Sequence, residues 1–335
     1  MDSLTQIVLG AAVGEAVLGK KVGNKAMLYG AIAGTIPDLD TFARFFTDTI
    51  TAIEVHRGFS HSIVFAILFA PVFGWLISKI ERKSIATWQN WSWLMFWGLV
   101  THPLLDAHTT WGTQLLWPLE VRLAYKNIFV IDPLYTLPFL VFLIMAMRQK
   151  RDSPKRRRYN NLGLIISSAY LLIITPALKL YTYNKFTDAL AEQEIAYKKI
   201  ETKPAPLNTI LWTANVEVED AYLIGDYSLF DSKPINFVEY PKNHHLLGEW
   251  KQRRNVQRLI KISEGWYTIT EKEGDIYFND LRFGTLDPFP RADSEFAFNY
   301  KLIEEDGEIR AEETPKTRGD AKQLMAQLGE RIMGN

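Results

Sequence analysis

His56-Arg-Gly-Phe-Ser-His-Ser-Ile-Val-Phe-Ala-Ile-Leu-Phe-Ala-Pro-Val-Phe-Gly-Trp-Leu-Ile-Ser-Lys-Ile80 is the stretch on which the fold class of this chain turns. From Ser62 to Ile80 it is apolar over nearly the ~20 residues that cross the hydrocarbon core of a bilayer. Its one charge, Lys79, stands at the far end. Two histidines and an arginine stand directly before it. Ionisable groups at the end of an apolar span are costly unless something binds them, so the stretch reads as a transmembrane helix with chemistry at one mouth.

The same grammar repeats on both sides. Leu4 to Gly19 is apolar and rich in small residues, which let helices approach closely in a membrane, and Glu15 within it is read as satisfied by a neighbouring helix. Ala26 to Ile36 ends at Pro37; both early segments fall short of a comfortable span and read as tilted or partly re-entrant. Trp91 to Leu105, Leu134 to Met147 and Leu162 to Leu180 follow. Trp88, Trp91, Trp93 and Trp97 read as an interfacial belt. The expectation is an α-helical membrane bundle of about six transmembrane or partly re-entrant helices.

Basic residues cluster at Lys20 to Lys25, at Lys79 to Lys83 and in Arg148 to Arg158. Under the positive-inside rule, six crossings put all three clusters in the cytoplasm. Parity then places Asp38, Asp40, His56, His61, His102, Asp106 and Asp132 together outside. With a net charge of +0, no overall field selects nucleic acid as a partner. Membrane lipids, an amphiphilic substrate and a protein bound by the C-terminal part are the partners expected.

Beyond the last span, Tyr183 to Lys203 has a loose helical pattern ended by Pro204 and Pro206. Short alternating stretches follow, among them Thr209 to Val218, Ala221 to Ile224, Gly265 to Thr270, Ile276 to Phe278 and Glu295 to Tyr300, which argue for a small antiparallel sheet. Asp320 to Met333 reads as a closing amphipathic helix. The expected organisation is a membrane domain over 1–181, a juxtamembrane helix or linker over 182–206, and a smaller extracytoplasmic β-rich (α+β) domain over 207–335.

Four of the six histidines lie between Pro37 and Pro133. His102 and Asp106 are four apart, on one face of a helix that persists past Pro103. Asp38 and Asp40 need a turn after Pro37 to converge, and Gly58 permits a break between His56 and His61. With no cysteine in the chain, a thiolate site, a disulfide and a cysteine nucleophile are excluded. The candidate ligands are therefore Asp38, Asp40, His56, His61, His102, Asp106 and Asp132, a set suited to zinc first, and also to manganese or iron. Asp40 is alternatively a general base, Asp132 alternatively an N-cap, and Arg57 a clamp for an anionic substrate or else a partner of Asp48 or lipid headgroups. Ser60 and Thr101 neighbour the ligands, as supports or as caps. His108 is placed in an outer loop, and His244 and His245 on the surface of the soluble part.

The opening Met1 to Ala16, Gly-Thr-Ile-Pro-Asp-Leu-Asp at 34–40, His-Arg-Gly-Phe-Ser-His-Ser at 56–62, Thr-His-Pro-Leu-Leu-Asp at 101–106, Trp111 to Pro118 and Ile-Asp-Pro-Leu-Tyr at 131–135 together resemble the bacterial membrane-bound, metal-dependent hydrolases, also described as LexA-binding and inner-membrane-associated. The resemblance covers roughly the first half of the chain. It implies an integral inner-membrane hydrolase without naming a substrate. Gln6 and Val55 depart from the family pattern, which has histidine there. A more distant similarity to zinc-dependent phospholipase C proteins suggests phosphoesters. The expected function is hydrolysis of a lipid-derived or amphiphilic ester or phosphoester by a metal site at the outer membrane face. The rivals are a non-enzymatic membrane scaffold with a structural polar cluster and, because the cluster lies at one face and not the midplane, more weakly a transporter.

Overall fold

The computed structural model describes residues 1–315 and 321–334. The chain forms two compact units. The first comprises Met1–Phe46, Val55–Ala177 and Pro206–Asn208; the second takes Thr47–Glu54, Leu178–Ala205 and the described residues from Thr209 on. The division at Ala177/Leu178, and the return of a short early segment to the second unit, differ from the contiguous boundaries read from sequence.

The first unit starts with α1 (Ser3–Val22), capped by the Asp2 carboxylate, which accepts from Thr5 N at 3.1 Å, and α2 (Asn24–Thr35). A 3-10 helix (Pro37–Phe45) follows, and then the seven-residue α3 (Thr49–Val55). A 3-10 turn (Phe59–His61) leads into α4 (Ile63–Ile80), whose cap is Ser62, accepting from Phe65 N at 3.0 Å. Thr87 and Asn90 form a capping box at the start of α5 (Trp88–Asp106). Then come α6 (Pro133–Met147) and α7 (Pro154–Glu192), 39 residues with a π-turn at Tyr170–Ile174.

Among the described residues, two helices are long and apolar enough to cross a membrane, α4 and α7. Of the about six transmembrane or partly re-entrant helices expected, these two meet that length and apolarity. The 12 residues of α2 rise only about 18 Å, and α6 is apolar but has 15 residues. In α1 and α5 length suffices, but Gln6, Glu15, Lys20 and Lys21, and Gln89, Asn90, Ser92 and His102, lower their apolarity.

Glycines set the contact of α1 and α2. A Cβ on Gly30 would lie 2.2 Å from the Gly10 carbonyl oxygen, and one on Gly34 2.5 Å from that of Gln6. The helices touch backbone to backbone along this line, the close approach that small residues permit. Gly30→Ala is expected to force them apart at a cost of about 1–3 kcal/mol; thermal unfolding of the detergent-purified protein measures it, and an unchanged midpoint would contradict the packing. Glu15 of α1 is met by Arg156 of α7 through two bonds, of 2.6 and 2.5 Å.

The second unit carries two four-stranded antiparallel sheets where one was expected. The first has β1 (Lys199–Pro204), β2 (Leu211–Glu217), β3 (Ala221–Ser228) and β4 (Phe237–Pro241) in sequence order. The second has β5 (Tyr267–Lys272), β6 (Asp275–Thr285), β7 (Phe296–Glu305) and β8 (Glu308–Glu313). Lys199 to Lys203, read as the end of a helix, is strand, because Lys199 to Pro204 pair with Glu217 to Trp212. Pro204 is tolerated there because β1 is an edge strand. Asn215 donates to Leu281 O at 2.8 Å and ties the two sheets. Helix α8 (Arg254–Ile262) buries Val256 and Leu259 in a core with Tyr222, Trp266 and Phe278. Helix α9 (Ala321–Ile332) closes the chain, and Asp320, expected to begin it, lies outside the described residues.

Candidate metal centre

Pro37 starts a 3-10 helix, and its three-residue turn brings Asp38 and Asp40 to the site by different routes. Asp38 reaches it directly. Its Oδ1 lies 3.4 Å from His61 Nε2 and 3.4 Å from His102 Nε2. Asp106 completes the group from the last turn of α5, with Oδ2 at 3.5 Å from His61 Nε2 and 3.6 Å from His102 Nε2. Pro103 does not break α5, so the four-residue spacing of His102 and Asp106 does put both on one face. The ligating atoms of Asp38, His61, His102 and Asp106 all lie within 4.8 Å of one another.

The two imidazoles are oriented from behind. His102 Nδ1 donates to the Gly34 carbonyl, near the end of α2, at 2.6 Å. His61 Nδ1 faces Asp40 Oδ2 at 3.1 Å and Ser60 Oγ at 3.0 Å. Each ring thus presents Nε2 forward, and these two atoms stand 3.1 Å apart. Two imidazole lone pairs repel at that distance unless a proton or a metal cation lies between them. Outer partners on the rear nitrogen are the usual way metal-ligating histidines are fixed.

The donor set fits a divalent ion. Four donors at the ~2.0–2.2 Å of zinc bonds to nitrogen and oxygen stand about 3.3–3.6 Å apart along the edges of a tetrahedron. Nε2 to Nε2 and the four Nε2 to carboxylate separations run from 3.1 to 3.6 Å. Gln6 Oε1 is buried without a hydrogen-bond partner, and Asp106 Oδ2, though it makes no hydrogen bond, has the Arg57 guanidinium at 3.1 Å. Side chains of His61, His102 and Asp106 are wholly buried while that of Asp38 is 22% exposed, so the site opens past Asp38.

Burial works against the charge of Asp38, but the imidazoles of His102 and His61 outweigh it and hold the carboxyl well below the usual range. Asp40 is held low in the same way, burial being overcome by His56 and His61. For His61, burial opposes the charge, and hydrogen bonds with Asp106, Asp38 and Asp40 overcome it, raising the ring to about 9. Without metal, a ring raised this far would carry its second proton at neutral pH, facing the carboxylates of the group. Metal uptake must displace it, so apparent affinity is expected to rise about tenfold per pH unit up to that value. Metal titrations between pH 6 and 9 test this; a flat profile would contradict the shared position. The proton also stabilises the metal-free fold, in full below the ordinary imidazole value of 6.5 and with loss as pH rises through about 9.

The remaining candidates have other partners. Asp40, expected as a ligand or general base, has both oxygens engaged: Oδ1 with His56 Nδ1 at 2.8 Å, and Oδ2 with Arg57 N at 2.9 Å and Ser60 Oγ at 2.7 Å. His56 accordingly stands behind the ligand group, against Asp40. Arg57 turns inward; it is 6% exposed, with Nη1 donating to Thr109 at 2.8 Å and Nε 3.1 Å from Asp106 Oδ2. Asp132 lies outside the four-residue group and caps α6, accepting from Leu134 N and Tyr135 N, with Tyr170 donating at 3.0 Å. Thr101 bonds back to Trp97 O within α5. His108 pairs with Asn127 at 2.9 Å. His245 is exposed, whereas His244 stacks on Tyr267 at 4.0 Å and is half-buried, a correction to its reading as a surface residue.

Gln6, noted in the sequence only as a departure from the family's histidine, reaches the site: its amide donates to Asp106 Oδ1 at 3.0 Å and to His102 O at 3.3 Å. A glutamine in an otherwise apolar first helix was the available signal. The Gly34 carbonyl and Thr109 carried none.

Helices with a two-histidine, two-aspartate cluster at their ends define a membrane-associated protein with a site able to hold a metal. The model of the YdjM inner membrane protein family matches residues 1–180, and the chain belongs to that family. Over 104 residues it is 33% identical to inner membrane protein YbcI of Escherichia coli (strain K12), a match covering 30% of this chain and 58% of that relative. No solved structure matches. The family match takes in all four residues of the cluster and ends near the close of the first unit.

Proposed function

We propose that this chain is a membrane-bound, divalent-metal-dependent hydrolase acting on a lipid-derived or amphiphilic ester or phosphoester. The observation that carries the reading is the convergence of four donors within 4.8 Å of one another, with the two imidazoles fixed from behind. Zinc is the first choice for two nitrogens and two carboxylates, with manganese and iron next. Such an ion polarises a carbonyl or phosphoryl oxygen and lowers the pKa of water at the site.

In this reading Asp38, His61, His102 and Asp106 hold the ion, and Asp40 orients His61 instead of taking a proton. Arg57 balances Asp106. Substrate enters past Asp38, where Leu39, Phe42 and Phe45 of the same 3-10 helix and Phe46 just after it are exposed and offer an apolar approach for an acyl chain. The positive-inside bias of the three basic clusters supports a topology with that face outside the inner membrane and the second unit extracytoplasmic.

Metal analysis of the purified protein, with an esterase and phosphoesterase panel run beside His61→Ala, tests the reading. Stoichiometric metal and a turnover lost in the variant are expected. Absence of metal, or activity that survives exhaustive chelation, would end it. Metal without turnover on any substrate would favour the scaffold. Reporter fusions after Met147 and after Asn335 test the topology, and a cytoplasmic C-terminus would overturn it.

A further inference from the structure

The chain leaves the first unit after Phe46 and re-enters it at Val55. Immediately inside these points lie two of the three segments that build the metal centre, with ligand Asp38 and its neighbour Asp40 on one side and His56 and ligand His61 on the other; α5 supplies the rest. The excursion is closed at its base by Asp40, which engages His56 at 2.8 Å and the Arg57 amide at 2.9 Å. Asp40 is also the group that orients His61.

The eight residues of the excursion, Thr47–Glu54, belong to the second unit. Ile50 is 1% exposed and is part of the core that includes Tyr222, Trp266 and Leu259, and Ile53 packs against it. Arg258 of α8 grips the same segment through Glu54, at 3.0 and 2.7 Å, and through Thr51 Oγ1, at 2.8 Å. Asn255, one turn earlier, accepts from Arg258 at 3.0 Å and fixes its direction. A seven-residue helix is not stable by itself, so α3 owes its form to this packing. A free connection between Asp40 and His56 would have to lose its disorder each time the base closed. One already ordered by the second unit loses little.

We propose that the second unit is a positioning clamp on the segment joining Asp38 and Asp40 to His56 and His61, with Ile50, Thr51, Glu54 and Arg258 as its positioning residues. None of the four belongs to the ligand cluster. The clamp acts through Asp40 and His56 on the direction of His61, and it rests on the metal-binding reading given above. It also supplies a role for the part of the chain beyond the family match: the second unit sets how well the site holds its ion.

The test measures Zn2+ affinity of the full-length protein in detergent by competition with a chelating dye. Arg258→Glu and Glu54→Arg are each expected to lower affinity about tenfold, the lower end of what loss of an outer partner costs. The double exchange restores the pair and is expected to restore affinity. Val216→Ala, in the other core cluster of the same unit, controls for general destabilisation and is expected to leave affinity unchanged. Thr51→Val, which removes only the Arg258–Thr51 and Asp48–Thr51 hydroxyl contacts, is the milder variant should a charge reversal unfold the protein, and a smaller loss is expected of it. Wild-type affinity in the single variants, no recovery in the double exchange, or an equal loss in Val216→Ala would overturn the clamp alone. A wild-type protein that binds no Zn2+ would overturn the metal reading and the clamp with it.

Discussion

His61→Ala is expected to empty the metal centre. The substitution removes one of two nitrogen donors from a group whose other members are wholly buried or nearly so. The loss should exceed the about 10–100-fold that removal of an outer partner costs. Asp40→Asn supplies the comparison. It keeps the size of the side chain but takes the charge from behind His61 and converts one acceptor into a donor facing Ser60, Arg57 N or His56. It should fall inside that about 10–100-fold range and retain a measurable site. Metal content of the two purified variants distinguishes the roles. Equal retention of metal in His61→Ala and the wild type would remove His61 from the ligand set, while complete loss in Asp40→Asn would return Asp40 to it.

Glu15→Ala is expected to cost about 3–5 kcal/mol of stability, the range for breaking a buried pair by deleting one partner. The Arg156 guanidinium is 2% exposed, donates to both Glu15 oxygens and has Asn24 Oδ1 at 2.7 Å as its further partner. With Glu15 gone its charge is left uncompensated between α1 and α7. The double variant Glu15→Ala, Arg156→Met removes that charge and should recover most of the loss. Thermal unfolding of the detergent-solubilised variants measures both. A single variant as stable as the wild type would show that the pair is not held away from water, and a double variant no better than the single would assign the cost to lost packing.

Both predictions concern residues conspicuous in the sequence itself: charged or polar groups within or against apolar segments. What they do was legible to different degrees. His102 and Asp106 could be paired from their spacing alone, because a helix puts residues four apart on one face. Glu15 could be recognised as needing a partner, but not which one, since Arg156 is 141 positions away in a run read as a loop. Asp38 and Asp40 looked equivalent. Their separation into a group facing the ion position and a group standing behind His61 follows from the 3-10 helix after Pro37, whose turn no periodicity announced. Asp132, before a proline at an apolar boundary, reads as a ligand or an N-cap, with a lean towards ligand, and the structure shows it capping α6.

The strands show a similar division. Val, Ile and aromatic alternation marked β2, β3, β5, β6 and β7, whereas β1, with Lys199, Glu201 and Lys203, has too few apolar residues to be seen until β2 supplies its hydrogen bonds. Helix α8 is short and basic, and its function as the holder of Arg258 depends on a segment some 204 positions away.

By itself the amino-acid order determined a helical, apolar first half with its histidines and aspartates at helix ends, and a strand-rich second half, because hydrophobic period and the cost of buried charge are local properties of the chain. Tertiary structure alone decided which four of those residues face one point, which helices approach along glycines, and which unit holds Thr47–Glu54. These are matters of distance between elements, set by packing of surfaces far apart in sequence, and no local pattern encodes them.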